Sequence, residues 1–408
     1  MRVVQPAARL AAFGISLIGL VHPISAEEKT YGQARDFLAA HTKVLELKGD
    51  NGARVVVCPE YQGRVMTSTC DGLEGRSLGW INYKYIDEHK HDKQFNNYGG
   101  EDRFWLAPEG GQFSLWFAPG AKQVFATWFT PPALNEGAFR VISHDATPFY
   151  RLTRRTSLRN ASGTDFDLEV VRQVNLLSGR QFGQYFGTAA KRLLDNSRTK
   201  MVGFETDNTL VNRGAPMKRA TGLVSIWSLG MFPPGPKTEI IVPYKAGAEA
   251  ELGPIVKADY FGPIPPERLH VAPGAVIFRG DGNYRSKIGI SQKRARPVAG
   301  ALDRQAGVLT LVHFTMPSEP AQHAYCNNAW DLPQQQPYFG DVLNSYNDGP
   351  TEPGKPALGG FFELETLSPA IELAPGQSLK HVHSTFHIVG DVKSLIAIAN
   401  AALGVDLK

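Results

Sequence analysis

More than ten short runs rich in Val, Ile, Phe, Leu and Thr, separated by clusters of Gly, Pro, Asn and Asp, dominate this sequence. The first three, at residues 44–47, Arg54–Cys58 and 64–68, are separated by Gly-Asp-Asn-Gly and Pro-Glu-Tyr-Gln-Gly turn chemistry. Others follow at 113–117, 123–128, 150–158, 166–176, 223–229, Glu239–Pro243, Ala275–Arg279, Val308–Phe314, 361–367 and 379–389. Most such runs are too short for a stable helix and fit strands, and the Gly and Pro between them set turns. Only two segments read as helices. Tyr31–His41 places Ala34, Phe37 and Leu38 on one face, and a closing helix runs from an Asp391 N-cap to Ala402 with Leu395, Ile396 and Leu403 as its apolar residues. The expected fold is therefore all-β.

Composition agrees. The 41 glycines and 28 prolines are about a sixth of 408 residues, and 42% of the chain is hydrophobic, enough for a large core. A fibrous or disordered chain is excluded. No fixed-period repeat appears, which disfavours propellers and solenoids. The Pro-rich stretches 232–237 and 331–337 read as surface loops, because strand signals continue at similar density on both sides. A single domain over residues 27–408 is expected.

Residues 1–26 have the pattern of an export signal. Arg2 and Arg9 precede an apolar stretch from Leu10 to Val21, and the small residues Ser25 and Ala26 precede Glu27-Glu28-Lys29. The apolar stretch is shorter than the ~20 residues that span a bilayer. The mature protein is expected to be periplasmic or extracellular, with no membrane anchor after cleavage. Basic and acidic residues number 43 and 39, without a long cationic run, so nothing argues for a nucleic-acid partner. Cys58 and Cys70 lie close enough in sequence to pair in an oxidising compartment or to stay as buried thiols, and Cys326 is left over.

No Gly-x-Ser-x-Gly, P-loop, dinucleotide fingerprint, His-Glu-x-x-His or Cys-x-x-Cys motif is present, so no cofactor or metal is called for. The mixed charges of Asp87-Glu88-His89-Lys90-His91-Asp92 read as a solvated loop. Three other stretches carry chemistry. Residues 98–112 set paired glycines around Glu101, Arg103, Trp105 and Glu109: glycines allow close backbone approach, Trp105 offers an apolar face for a sugar ring, and Arg103 a fork for a carboxylate or hydroxyl pair. An internal ion pair of Arg103 with Glu101 or Glu109 explains the same residues equally well. In 361–367, period two puts Glu363 and Glu365 on one strand face, about 7 Å apart, close enough to raise one pKa if buried. In 378–387, His381, His383, Thr385 and His387 share a face, and the short turn after the Glu strand suggests that the two strands are neighbours. His313 ends the apolar strand Val308–Phe314 and reads first as a buried, hydrogen-bonded histidine.

These stretches, in this order, resemble the galactose-mutarotase-like (aldose 1-epimerase-like) superfamily, and within it a group of exported bacterial proteins. The resemblance rests on Gly-Ala-Arg-Val-Val-Val-Cys-Pro with Gly63-Arg64-Val65 and Gly79-Trp80, on Gly-Gly-x-x-x-x-Trp-x-Ala-Pro-Glu at 99–109, and on Glu-Leu-Glu-Thr with Ser-Pro-Ala and Pro-Gly at 363–376. It implies a large antiparallel β-supersandwich with a carbohydrate cleft on its concave face. It also implies that Glu365, in the Leu-Glu-Thr motif, is the general base at the anomeric hydroxyl. The family's mid-chain acid histidine has no counterpart in 212–229, and His144, His313 and His323 stand outside the pattern. The expectation is a carbohydrate-binding protein, an epimerase or mutarotase using Glu365 and His313. Glu101, Arg103, Trp105, Glu109, Glu363, His381 and His383 are expected to line the cleft. A polysaccharide lyase or glycoside hydrolase and a non-catalytic sugar-binding module are the alternatives.

Overall fold

The computed structural model describes residues 29–143, 148–352 and 354–408, so the expected export signal at 1–26 and His144 lie outside the described residues. The two expected helices form. Tyr31–His41 starts at Thr30, whose hydroxyl accepts from Gln33 N while Gln33 Oε1 accepts from Thr30 N, a reciprocal cap. Val392–Leu403 starts at Asp391, which accepts from Ser394 N, and stops at Gly404 in the left-handed region. Among the described residues, no helix is long and apolar enough to cross a membrane.

Everything large is antiparallel sheet. The biggest has ten strands in the order Leu269–Ala272, Ala275–Arg279, Glu239–Pro243, Val298–Asp303, Val308–Phe314, Ser378–Val389, Lys200–Asn212, Asp165–Leu177, Phe149–Arg159 and Arg140–Val141. A five-stranded sheet runs Ser286–Ser291, Asp341–Asn347, Phe362–Leu367, Ser225–Phe232 and Arg103–Ala107. A three-stranded sheet of Leu45–Lys48, Arg54–Cys58 and Arg64–Thr69 joins this layer through paired backbone hydrogen bonds between Val65 and Asp102. The all-β class and the large antiparallel sandwich follow directly.

The alternation of each strand decides which face is covered. On the ten-stranded sheet, Leu309, Leu311, Phe386 and Ile388 point outward and are buried under Gly179–Phe186, Ala189–Leu194 and the closing helix, against Phe182, Phe186, Leu395, Ile398 and Leu403. Each such side chain contributes about 1.5–3 kcal/mol on burial. The opposite face packs on the five-stranded sheet through Phe204, Val312, Phe314, Phe362 and Leu364. The outer face of the five-stranded sheet is then the one left for a site.

Two expected strands do not form. Ser114 turns the chain at 113–117 by accepting from Trp116 N and Phe117 N. Within 123–128, Phe125–Thr127 is a 3-10 turn, and the Gln123 amide both donates to and accepts from the Gly111 backbone. The aromatic residues there pack in tertiary contacts rather than marking a strand. Conversely, Lys200–Asn212 and Gly179–Phe186 form where no element was expected. The strand's polar alternate residues hid its period, and the helix is held by Phe182 and Phe186.

Cys58, Cys70 and Cys326 are free, buried thiols, which settles the open pairing.

Candidate functional site

The outer face of the five-stranded sheet carries two rows of side chains set by register. Lys287, Tyr346, Glu363 and Met231 lie across from one another in one row; Gly289, Asn344, Glu365, Leu229 and Arg103 form the next. Twist brings diagonal neighbours together. Arg103 Nη2 donates to Glu363 Oε1 at 2.7 Å, and Lys287 Nζ to Glu365 Oε2 at 2.9 Å. Trp227 Nε1 also donates to Glu365 Oε2, at 3.0 Å, leaving Glu365 Oε1 buried without a hydrogen-bond partner. A buried carboxylate oxygen left without a partner is costly.

Above this floor is a cleft walled by Phe95, Trp105, Phe125, Trp128, Phe261 and Trp330, with Arg103, Glu109, Arg285, Lys287 and Glu363 among its polar lining. It continues into a more polar chamber, shared through Glu109, Phe261, Lys287 and Trp330 and bordered by Lys257, Asp259, Tyr260 and Asp331. Aromatic walls around a few converging polar groups are the lining expected of a small-molecule site. Glu109 Oε1 accepts from Trp128 Nε1 at 2.8 Å.

Electrostatics separate these groups. Burial raises the Glu109 carboxyl, with Lys287 and the Trp128 hydrogen bond pulling it back. Burial also pushes Glu363 up to about 7, opposed by Arg103 and reinforced by Glu365. Burial works against the Lys287 ammonium, but the charges of Glu365, Glu109 and Glu363 outweigh it and hold its pKa above the ordinary lysine value. Carboxyls raised by burial and carboxyls paired to cations thus gather at a single cleft, the arrangement that supports acid and base roles near neutrality.

Arg103, Trp105, Glu109 and Glu363 are brought together as expected from sequence, but with different roles for two of them. Arg103 pairs with Glu363 rather than with Glu101 or Glu109, and its guanidinium lies 3.9 Å over the Trp105 ring, so that face is already covered. The paired glycines serve backbone packing rather than ligand approach. A Cβ on Gly99, at φ 88°, would lie 2.2 Å from Trp80 O, and one on Gly110 would lie 2.1 Å from Ala329 O.

Glu101, His381 and His383 are not in the cleft. The Glu and His strands belong to different sheets facing each other, and the side chains of the two motifs point to opposite sides of the Phe362–Leu367 strand. Between the sheets, Thr366 Oγ1 lies 2.8 Å from His381 Nε2 and 2.9 Å from His383 Nδ1. Burial pushes His381 down to about 3 and lowers His383, leaving both neutral. Glu101 accepts from Ser68 N and Ser68 Oγ and lies 3.0 Å from His387 Nε2, also between sheets. His313 sits on the far side of the ten-stranded sheet, stacked on Tyr185 at 4.3 Å, where burial lowers its pKa to about 4. His323 is exposed elsewhere. Among the described residues no histidine lines the cleft. Glu365 is fully buried beneath the floor rather than standing in the cleft wall.

Sequence reading missed Trp128, Trp227, Phe261, Arg285, Lys287 and Trp330. For Lys287 a signal existed, a lysine in the alternating Ser-Lys-Ile-Gly-Ile-Ser run. Trp330 and Phe261 arrive from loops with no local pattern. The Asp87–Asp92 segment is exposed, with Glu88 paired to Lys90, in keeping with a solvated loop.

Among solved structures, one from Escherichia coli K12 provisionally described as an aldose 1-epimerase is 14% identical, with a TM-score of 0.47 over 85% of this chain and 99% of that one. A TPR-domain containing protein from Parabacteroides distasonis is 10% identical, with a TM-score of 0.43 over 83% of this chain and 45% of its own. A 4-alpha-glucanotransferase from Thermococcus litoralis is 8% identical, with a TM-score of 0.38 over 84% and 37%. No curated protein matches in sequence. The model of the Family of unknown function (DUF6786) matches residues 29–408, and the chain belongs to that family.

Proposed function

We propose that this is an exported protein that binds a sugar in the aromatic cleft and catalyses proton transfer at its anomeric centre, as an aldose epimerase or mutarotase does. The observation that carries the reading is the orphan Glu365 Oε1 beneath a cleft that also holds the raised Glu109 carboxyl. In this reading the bound sugar parts the floor over the buried Glu365, its anomeric hydroxyl donates to Glu365 Oε1, and Lys287 and Trp227 hold the other oxygen. Glu109, whose carboxyl burial raises, supplies the proton to the ring oxygen and takes the place of a histidine acid. Half-buried Trp330 and Phe125 offer the apolar surfaces against which a sugar face packs.

The test is proton NMR exchange between anomeric signals across a panel of reducing sugars. Acceleration by the protein that is lost in both Glu365→Gln and Glu109→Gln supports the reading, and no acceleration of any sugar removes it.

A second reading, glycoside cleavage, is favoured by one observation: the cleft opens into the adjoining polar chamber, giving room for more than one sugar unit. New reducing ends from an oligosaccharide would select it.

A further inference from the structure

We propose that the cleft takes a sugar bearing a carboxylate and that Arg285 is the residue that binds it; the inference rests on the sugar reading above. The other cations of the cleft floor are matched. Arg103 has Glu363 and Lys287 has Glu365. Arg285 lines the same cleft, and among the described residues no carboxylate forms an ion pair with it. Its guanidinium carbon lies 3.8 Å from the centre of the Phe261 ring and 5.3 Å from that of Phe125. The Tyr346 hydroxyl lies beside its guanidinium, and among the described residues its Nε is buried without a hydrogen-bond partner.

A partly desolvated guanidinium left without an anion is costly, and its planar fork matches the two oxygens of a carboxylate. Stacking on Phe261 fixes the plane of that fork. The backbone is fixed as well: Asn347 donates to Tyr284 O at 2.8 Å and accepts from Gly282 N at 2.9 Å, pinning the turn just before Arg285. The charge of Arg285 lowers the Glu109 carboxyl, after the larger effects of burial, Lys287, Glu365 and the Trp128 hydrogen bond. Burial raises that carboxyl, which weakens its repulsion of an incoming anion. Arg285 is thus a preorganised, unanswered cation beside aromatic walls. A neutral sugar would leave it unanswered, and a uronate would complete it.

The experiment measures binding of the purified protein to glucuronate, galacturonate, glucose, galactose and glucose 6-sulfate by titration calorimetry at fixed ionic strength. The expected result is at least tenfold tighter binding of a uronate than of its neutral parent. Arg285→Gln is expected to bring that ratio close to one, and Arg285→Lys is expected to retain part of the preference. A merely structural arginine would weaken both sugars alike, so the ratio separates the two roles. Neutral sugars bound as tightly as uronates, an acid preference that survives Arg285→Gln, or a sulfated sugar bound as well as the uronate would overturn the inference and leave the sugar reading standing. Binding of none of these sugars would overturn both.

Discussion

Lys287 and Glu365 meet at 2.9 Å beneath the cleft floor although they belong to different strands, with Asp341–Asn347 running between them. The contact is diagonal: Lys287 is level with Tyr346 and Glu363, while Glu365 is level with Asn344. Trp227 donates to the same carboxylate oxygen, so one indole and one ammonium fix which oxygen of Glu365 stays free. The pair is buried, so its role in stability and its role in chemistry are separable only by experiment.

Glu365→Gln removes the anion that Lys287 answers. Breaking a buried pair from one side costs about 3–5 kcal/mol. The expected outcome is loss of that order in chemical denaturation together with at least ~100-fold loss of any turnover. Replacing both partners, as in Lys287→Met with Glu365→Leu, is expected to cost less stability than the single change while turnover stays lost.

Glu109→Gln imitates the protonated form that burial favours. Stability is expected to stay within about 0.5 kcal/mol, while turnover falls about 100-fold or more. Trp128→Phe deletes the 2.8 Å donor that stabilises the charged form. It is expected to raise the Glu109 pKa further and move the alkaline limb of the pH–rate profile upward, because an acid works only while protonated. An unchanged limb would detach Glu109 from that role.

Glu363 gives the protein a pH-dependent stability whose sign follows from its pKa. The folded carboxyl titrates at about 7, against an ordinary value of 4.5. Between those values the folded state holds more protons than the unfolded chain, so stability falls as pH rises from about 4.5 to 7. Glu363→Gln is expected to flatten that slope in denaturant titrations at several pH values.

His313 stacks on Tyr185 across the ten-stranded sheet from the cleft. His313→Asn is expected to cost about 1 kcal/mol of stability through lost aromatic packing and to leave sugar turnover at the wild-type rate. A tenfold rate loss would show that this histidine communicates with the cleft after all.

Cys58, Cys70 and Cys326 are buried, and burial raises all three thiols, Cys70 to about 11. Buried, protonated thiols react poorly. The expected outcome is negligible labelling by iodoacetamide in the folded protein, labelling of three thiols after denaturation, and no change of melting temperature on adding reductant.

What the sequence by itself determined is local. The Asp391 cap, the Arg54–Cys58, Glu239–Pro243, Ala275–Arg279 and Val308–Phe314 strands and the shared face of Glu363 and Glu365 follow from periodicity and turn chemistry, which act over a few residues. The closeness of Arg103 to Glu363, 260 residues apart, was not local, nor were Trp330 and Arg285 on the same cleft. Nor could periodicity say that the Glu and His strands belong to different layers. His381, His383 and Glu365 all alternate correctly along their strands, yet Thr366 meets the histidines between the sheets while Glu365 faces the opposite way. A strand's period fixes which residues share a face. Which face meets the other sheet and which meets the cleft is set by sheet order and by what the helices cover, and those depend on contacts across hundreds of residues.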